Sequence, residues 1–239
     1  MASGVFVTGT GTEVGKTVVA AAYARTLVKA GRRVGVFKPA VTGLDEPSAD
    51  GAPADHELLR LAAESGQSDD EIAPYRYGPP ASPHLAADIA GEEIEPARLL
   101  EAVRAAAAGA DAVVCEGVGG LLVPLAGRLN AAMRNKVAPP YLVRDLAADL
   151  GYPLAIAAPP GLGTINHTLL TIEAARTAGL EVASVVLTPW PREPSEIERS
   201  NRETIASIGG VEVQTLPQLD LSAPSTWPEL RLMGRKPSI

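Results

Sequence analysis

One stretch near the start of the chain, Gly9-Thr10-Gly11-Thr12-Glu13-Val14-Gly15-Lys16-Thr17, constrains the fold more than any other. It follows an apolar run, Val5-Phe6-Val7, and opens an Ala-rich segment of helical character that ends near Ala30. Strand, glycine-rich turn and helix in that order make a phosphate cradle, because backbone N–H groups of the turn and of the helix N-terminus can point at phosphate oxygens. Lys16 adds a cation and Thr17 a hydroxyl for Mg²⁺. The ligand this predicts is a nucleoside triphosphate. Five residues separate Gly9 from Gly15, where the usual Gly-x4-Gly-Lys-Thr loop has four. A chance Gly-Lys-Thr turn on a surface would lack the flanking strand and helix.

The rest of the chain repeats the same grammar. Residues 33–37, 112–115, 153–158, 182–187 and 211–216 read as strands, with helices over 55–65, 96–109, 141–150 and 195–208 and a turn into a helix at 161–167. Gly31 closes the first helix as a residue free to take positive φ. This pattern predicts an α/β fold with a mainly parallel sheet. Residues 42–54 and 66–83 read as loops, 125–140 as an irregular insertion carrying Arg128, Arg134 and Lys136, and 222–239 as a partly disordered tail, particularly 233–237.

Three residues outside the loop carry chemistry by position. Lys38 ends the second strand, at the edge where parallel sheets place ligands, although position alone equally allows an ordinary surface lysine. Asp55 is read alone as a helix cap. Glu116 ends a buried strand before Gly117-Val118-Gly119-Gly120, which suits either a second acidic ligand for Mg²⁺ or a polar residue before a turn.

Composition narrows the function classes. A formal charge of -7 argues against a nucleic-acid-binding surface, while leaving a local site for small anions. The lone cysteine, Cys115, sits in an apolar run, so no internal disulfide forms, and a buried small hydrophobe is the simpler reading than a nucleophile. No uninterrupted apolar run reaches the ~18 residues of a membrane span, and no basic and apolar leader opens the chain, so the expected home is the cytoplasm. His56, His84 and His167 show no metal-ligand spacing, which argues against zinc. The Glu92, Glu93 and Glu95 patch reads as a solvated approach to a helix.

Four motifs in order, residues 7–17, 37–43 (Phe-Lys-Pro-Ala-Val-Thr-Gly), 115–124 (Cys-Glu-Gly-Val-Gly-Gly-Leu-Leu-Val-Pro) and 163–168 (Gly-Thr-Ile-Asn-His-Thr), resemble those of dethiobiotin synthetases over about residues 3–218. The five-residue loop spacing is that family's own form. The resemblance implies a single-domain P-loop NTPase fold spanning 1–239, with helices on both faces of the sheet, acting as a homodimer. It implies closure of a ureido ring on 7,8-diaminononanoate with CO₂ and ATP, using Mg²⁺, in biotin biosynthesis, with no nucleic-acid or membrane partner. Carried over by position, Thr12, Glu13, Val14, Gly15, Lys16, Thr17 and Val18 cradle the triphosphate, and Thr17, Asp55 and Glu116 hold the metal. Lys38 is the catalytic lysine beside Lys16, Thr42 and Asn166 meet the substrate, and Gly117, Val118 and Gly119 line the same site. Thr188, Pro189, Leu216, Pro217 and Gln218 fall at the base end of the nucleotide. Many family members have Asn-Asp where this chain has Thr188-Pro189, which puts selectivity for adenine in question.

Two rival readings share the phosphate loop. A cobyrinate-type amidoligase usually brings a glutaminase domain, for which no chain remains. A partitioning or positioning switch ATPase carries an extra lysine at the place of Gly11, with a basic surface or amphipathic tail that this acidic chain does not show.

Overall fold

The computed structural model describes residues 3–46, 51–127 and 139–231. Its strands are β1 (Ser3–Gly9), β2 (Val34–Phe37), β3 (Ala112–Glu116), β4 (Pro124–Ala126), β5 (Tyr141–Leu142), β6 (Leu154–Ala158), β7 (Val182–Trp190) and β8 (Glu212–Pro217). Its helices are α1 (Lys16–Lys29), α2 (Asp55–Ala63), α3 (Asp69–Ile72), α4 (Pro83–Ala90), α5 (Pro96–Ala107), α6 (Val143–Leu150), α7 (Thr164–Thr177) and α8 (Glu196–Gly209). Among the described residues six strands form one wholly parallel sheet in the order β2-β3-β1-β6-β7-β8, and β4 and β5 pair antiparallel beside it. The predicted α/β fold with helices on both faces is observed.

Both faces of the sheet are covered, so its strands read as continuous apolar runs whose side chains alternate between two cores. Val5, Val7, Val34, Val36, Val114, Ala155 and Ala157 face α1 and α2, whereas Phe6, Phe37, Val113, Cys115 and Leu154 pack with residues of α4, α5 and α6. Ile156, Val185, Leu187 and Val213 continue that second face under α7 and α8. Gly35 permits one close approach: a Cβ there would stand 2.1 Å from the Ala106 carbonyl oxygen at the end of α5. Along the outer edge, the Gln67 side chain meets β2 like a short strand, accepting from the Val36 N–H at 2.9 Å and donating to the Val36 carbonyl at 3.0 Å.

Several expectations change. Asp55 is not the cap of α2: Ala54 occupies that position, the Glu57 carboxylate accepts from the Ala54 N–H at 2.8 Å, and Asp55 is the first helical residue. The stretch read as a loop over 66–83 holds α3, whose start is fixed by Ser68 and Glu71 bonding reciprocally, and α4 begins at its final proline, Pro83, which also puts His84 inside a helix. β7 runs on through Pro189, which lies where its pairing with β8 slips between Leu187 and Trp190.

Of the stretch read as a partly disordered tail, residues 222–231 are placed. Trp227 and Leu230 are buried against α1, the Trp227 indole donates to the Asp220 carbonyl at 2.6 Å, and Lys29 donates to the Trp227 carbonyl at 2.6 Å. Residues 233–237 lie outside the described residues, as do Arg128, Arg134 and Lys136 of the irregular insertion. No helix among the described residues is long and apolar enough to cross a membrane.

Candidate active site at the carboxyl ends of the strands

The loop between β1 and α1 is shaped by backbone conformation. Glu13 has φ 58° and Gly15 has φ 85°, both left-handed, and this reversal turns successive N–H groups toward one side. Gly9 must be bare, because a Cβ there would stand 2.6 Å from Val14 Cγ2 and 2.8 Å from Lys16 Cγ. α1 then starts on Gly15 with no side-chain cap and no acid in its first turn, so its free N–H groups and positive dipole end remain open to an anion. α7 starts the same way on Gly163, φ 90°. α2, α3, α6 and α8 instead carry acids in their first turns.

Three adjacent strands deliver the charged groups to that loop. Lys38 follows β2, Glu116 ends β3, and Thr17 lies in the first turn of α1 after β1. The Lys38 ammonium lies 2.5 Å from Asp55 Oδ2 and 2.6 Å from Glu116 Oε1. Thr17 Oγ1 is 3.0 Å from Asp55 Oδ1 and 2.9 Å from that same Glu116 oxygen. Lys16 reaches back to the Gly11 carbonyl at 2.6 Å.

Electrostatics within the cluster follow from burial and pairing. Burial opposes the charge on Lys38, but Glu116 and Asp55 outweigh it and hold the ammonium above the usual lysine range. Desolvation pushes the wholly buried Glu116 carboxyl up, with Lys38 pulling against it. Asp55 is also opposed by burial, but Lys38 and Thr17 bring it below the ordinary carboxylate range. Lys16 is lowered, chiefly by burial.

The donor set suits a hard divalent cation. Glu116 Oε2 is buried with no hydrogen-bond partner, a costly state for a carboxylate oxygen unless something binds it. No group of three or more His, Cys, Asp and Glu side chains suited to a metal occurs among the described residues. Two carboxylates and a hydroxyl do converge, and a magnesium ion that keeps waters and takes phosphate oxygens needs no more from the protein.

Other residues singled out from the sequence fall around this centre. Gly117 is buried, and a Cβ on it would stand 3.0 Å from both Phe6 and Val143; Gly119 takes φ 61°. Val118 is half-buried, as are Val14 and Val18, which pack on the α1 core. Thr12 and Glu13 are exposed on the loop. Thr42 is half-buried beyond Lys38. Thr188 is buried behind the loop, Pro189, Pro217 and Gln218 are exposed at the ends of β7 and β8, and the Leu216 side chain lies wholly in the core. Asn166 is exposed on the first turn of α7.

A cleft of about 430 Å³ runs along the outer limb of the loop and is walled by Leu121, Leu122, Val123, His167, Leu170 and Thr171. Sequence reasoning gave these walls no role, although Leu121, Leu122, Val123 and His167 lie within the motifs it singled out. Part of the signal was present, since His167, Leu170, Thr171 and Ala174 recur at helical spacing and all line the cleft.

Comparison with known proteins places the chain. A family model described as an AAA domain matches residues 3–226. The ATP-dependent dethiobiotin synthetase BioD of Anaeromyxobacter dehalogenans (strain 2CP-1 / ATCC BAA-258) is 46% identical over 184 residues, covering 77% of this chain and 75% of its own. The chain belongs to the dethiobiotin synthetase family. Synthetases of the same printed name from Rhodococcus erythropolis, 41% identical over 86% of this chain and 83% of theirs, and Bacillus subtilis, 33% identical over 88% and 84%, extend the likeness across more distant bacteria.

Proposed function

We propose that this chain is an ATP-dependent dethiobiotin synthetase that closes the ureido ring of dethiobiotin on 7,8-diaminononanoate with CO₂, releasing ADP and phosphate, in biotin biosynthesis. The observation that carries the reading is the convergence of Lys16, Thr17, Lys38, Asp55 and Glu116 beside an open helix N-terminus, in a chain of this family. Residues 1–239 act as one catalytic unit, and its place of work is the cytoplasm.

The reaction proceeds through anions. One amine takes up CO₂ and loses a proton to give a carbamate. A carbamate oxygen attacks the γ-phosphorus and ADP departs. The second amine then displaces phosphate from the mixed anhydride and loses its proton as the ring closes. Positioning and charge compensation are the protein's work, and no protein nucleophile is required. The amides of residues 12–18 receive the triphosphate, and Lys16 leaves the Gly11 carbonyl for the β- and γ-phosphate oxygens. Lys38 stabilises the carbamate and the transferring phosphoryl group. Thr17, Asp55 and Glu116 are the residues that would hold Mg²⁺, which when bound neutralises charge on the triphosphate.

The rest of the substrate is read along the cleft beside the loop, with Thr42 near the diamine end. The uncapped start of α7 suits the substrate's carboxylate, with Asn166 on its first turn helping to hold it. Asn166 is exposed there, which fits service to the site of a second copy in a homodimer. Exposed Leu122, Leu162 and Leu170 supply apolar surface around that end of the fold. At the base end, Pro189 has no N–H to offer and Thr188 is buried behind the loop, so the base is read loosely and other triphosphates are accepted.

A phosphate-release assay with and without diaminononanoate and bicarbonate tests the reading. Strong stimulation by the diamine is expected. Release that ignores the diamine would instead mark a switch ATPase, and a requirement for an added amide donor would mark an amidoligase.

A further inference from the structure

Resting on the reading of Thr17, Asp55 and Glu116 as cation ligands, we propose that Lys38 is a place-holder for the metal. Its ammonium and the divalent cation compete for the same carboxylate oxygens, and arrival of the cation with a triphosphate turns Lys38 out toward the reacting groups. One residue thereby couples metal loading to delivery of the catalytic charge.

Geometry supplies the competition. Lys38 Nζ lies 2.5 Å from Asp55 Oδ2 and 2.6 Å from Glu116 Oε1, and Thr17 shares Glu116 Oε1 and takes the other Asp55 oxygen. A magnesium ion needs oxygens at about 2.0–2.1 Å, so a cation bonded to these atoms would press against a second positive charge that also requires them. The remaining carboxylate oxygen, Glu116 Oε2, is buried without a partner, leaving an acceptor unused while Lys38 and Thr17 hold the others.

Charge balance sets the order of events. Lys16 and Lys38 match Asp55 and Glu116, two positive against two negative, in a largely buried cluster. A bare divalent cation would leave that cluster with a surplus of two positive charges. A cation carried in on a triphosphate brings its own compensation. Lys38 hangs on a flexible four-carbon stem, so it can exchange partners without backbone movement.

The test is Mn²⁺ binding to the purified full-length protein, measured by the electron paramagnetic resonance of the free ion, without and then with a non-hydrolysable ATP analogue. Without nucleotide, Lys38→Met should bind Mn²⁺ at least about tenfold more tightly than the wild type, and the gap should shrink once the analogue is present. Lys38→Gln, which keeps a donor for the carboxylates, serves if the methionine variant melts early, and should shift binding in the same direction. Nucleotide-free affinity unchanged in the folded variants, with Mn²⁺–analogue binding still weakened by Glu116→Gln, would overturn the exchange while sparing the metal ligands. If Asp55→Asn and Glu116→Gln left Mn²⁺–analogue binding intact, the ligand assignment itself would fall.

Discussion

The Thr188 side chain closes off the space beside Gly15, so that a Cβ at Gly15 would stand 2.5 Å from Thr188 Cγ2. A residue at the end of β7 thus backs the turn that opens α1. Gly15→Ala adds this collision to the strain of φ 85° in a residue with a side chain, a strain of about 1–2 kcal/mol. ATP affinity should fall by more than about tenfold, measured calorimetrically. Adding Thr188→Ser removes the obstructing methyl and should recover part of the loss, with a coupling of about 0.5 kcal/mol or more. Equal losses in the single and double variants would show that the contact does not matter. The same burial of Thr188 predicts that kcat/KM for GTP or CTP lies within about one order of magnitude of that for ATP, where a base-reading amide would impose several.

Glu116→Gln keeps the shape of a fully buried side chain and removes its charge. Turnover should fall by roughly two to three orders of magnitude, the loss expected when a ligand of the cation that neutralises the triphosphate disappears. Asp55→Asn should behave alike. Thermal melting separates the two roles: a Tm within a few degrees of wild type places the acids in the chemistry, and near-normal turnover in both variants would remove them from it.

Lys38→Met keeps the apolar stem without the cation. Its loss should fall chiefly on kcat, by about two to three orders of magnitude if the missing contact is worth about 3 to 4 kcal/mol in the transition state. ATP binding should change far less, since Lys16 and the loop amides remain. Single-turnover kinetics with an unchanged chemical rate would make Lys38 a binding residue only.

Tyr23, on α1, gives the fold an alkaline limit. Its buried hydroxyl lies 3.0 Å from Ser184 Oγ and accepts from Gln214 at 3.3 Å, and burial raises its pKa to about 12. Unfolded, it ionises near 10. Between those values the unfolded chain binds fewer protons, so stability falls as pH rises. The resulting loss, on the order of 2–3 kcal/mol, is absent below about pH 10 and complete by about pH 12. Tyr23→Phe should cost about 1 kcal/mol at neutral pH and flatten denaturant midpoints across that window. An unchanged alkaline slope in the variant would assign it to other groups.

The loop and the sheet were legible because their signals are local. Buried parallel strands read as apolar runs, and the glycines that bend the loop are visible as glycines. α3 and α4 were hidden because short helices carry little periodicity, and it takes Ser68 with Glu71, or Pro83 at a helix start, to fix their ends. The charged cluster was hidden more deeply. Thr17 meets Asp55 across 38 positions of sequence and Glu116 across 99. No spacing rule connects such residues, so Asp55 looked like a cap until the resemblance in motif suggested otherwise.

The proposed homodimer can be weighed with Leu162→Asp. This leucine is 97% exposed just ahead of α7, and an acid there should oppose both subunit contact and binding of a carboxylate at that helix end. Sedimentation equilibrium at low micromolar concentration should show monomers, with KM for the diamine raised at least about tenfold. Asn166→Ala should raise the same KM while leaving a dimer. A wild-type monomer with full activity would contradict the shared site.

Gln67 gives the open border of the sheet a stopper. A strand from another molecule adding to β2 would need the Val36 N–H and carbonyl, and the amide already occupies both. Specificity against unwanted strand addition therefore rests on this side chain, which neither catalyses nor fills the core, together with the Ile72 carbonyl that accepts from the Lys38 N–H at 2.8 Å. Gln67→Ala would leave a folded enzyme whose border is sticky, with solubility lost before activity.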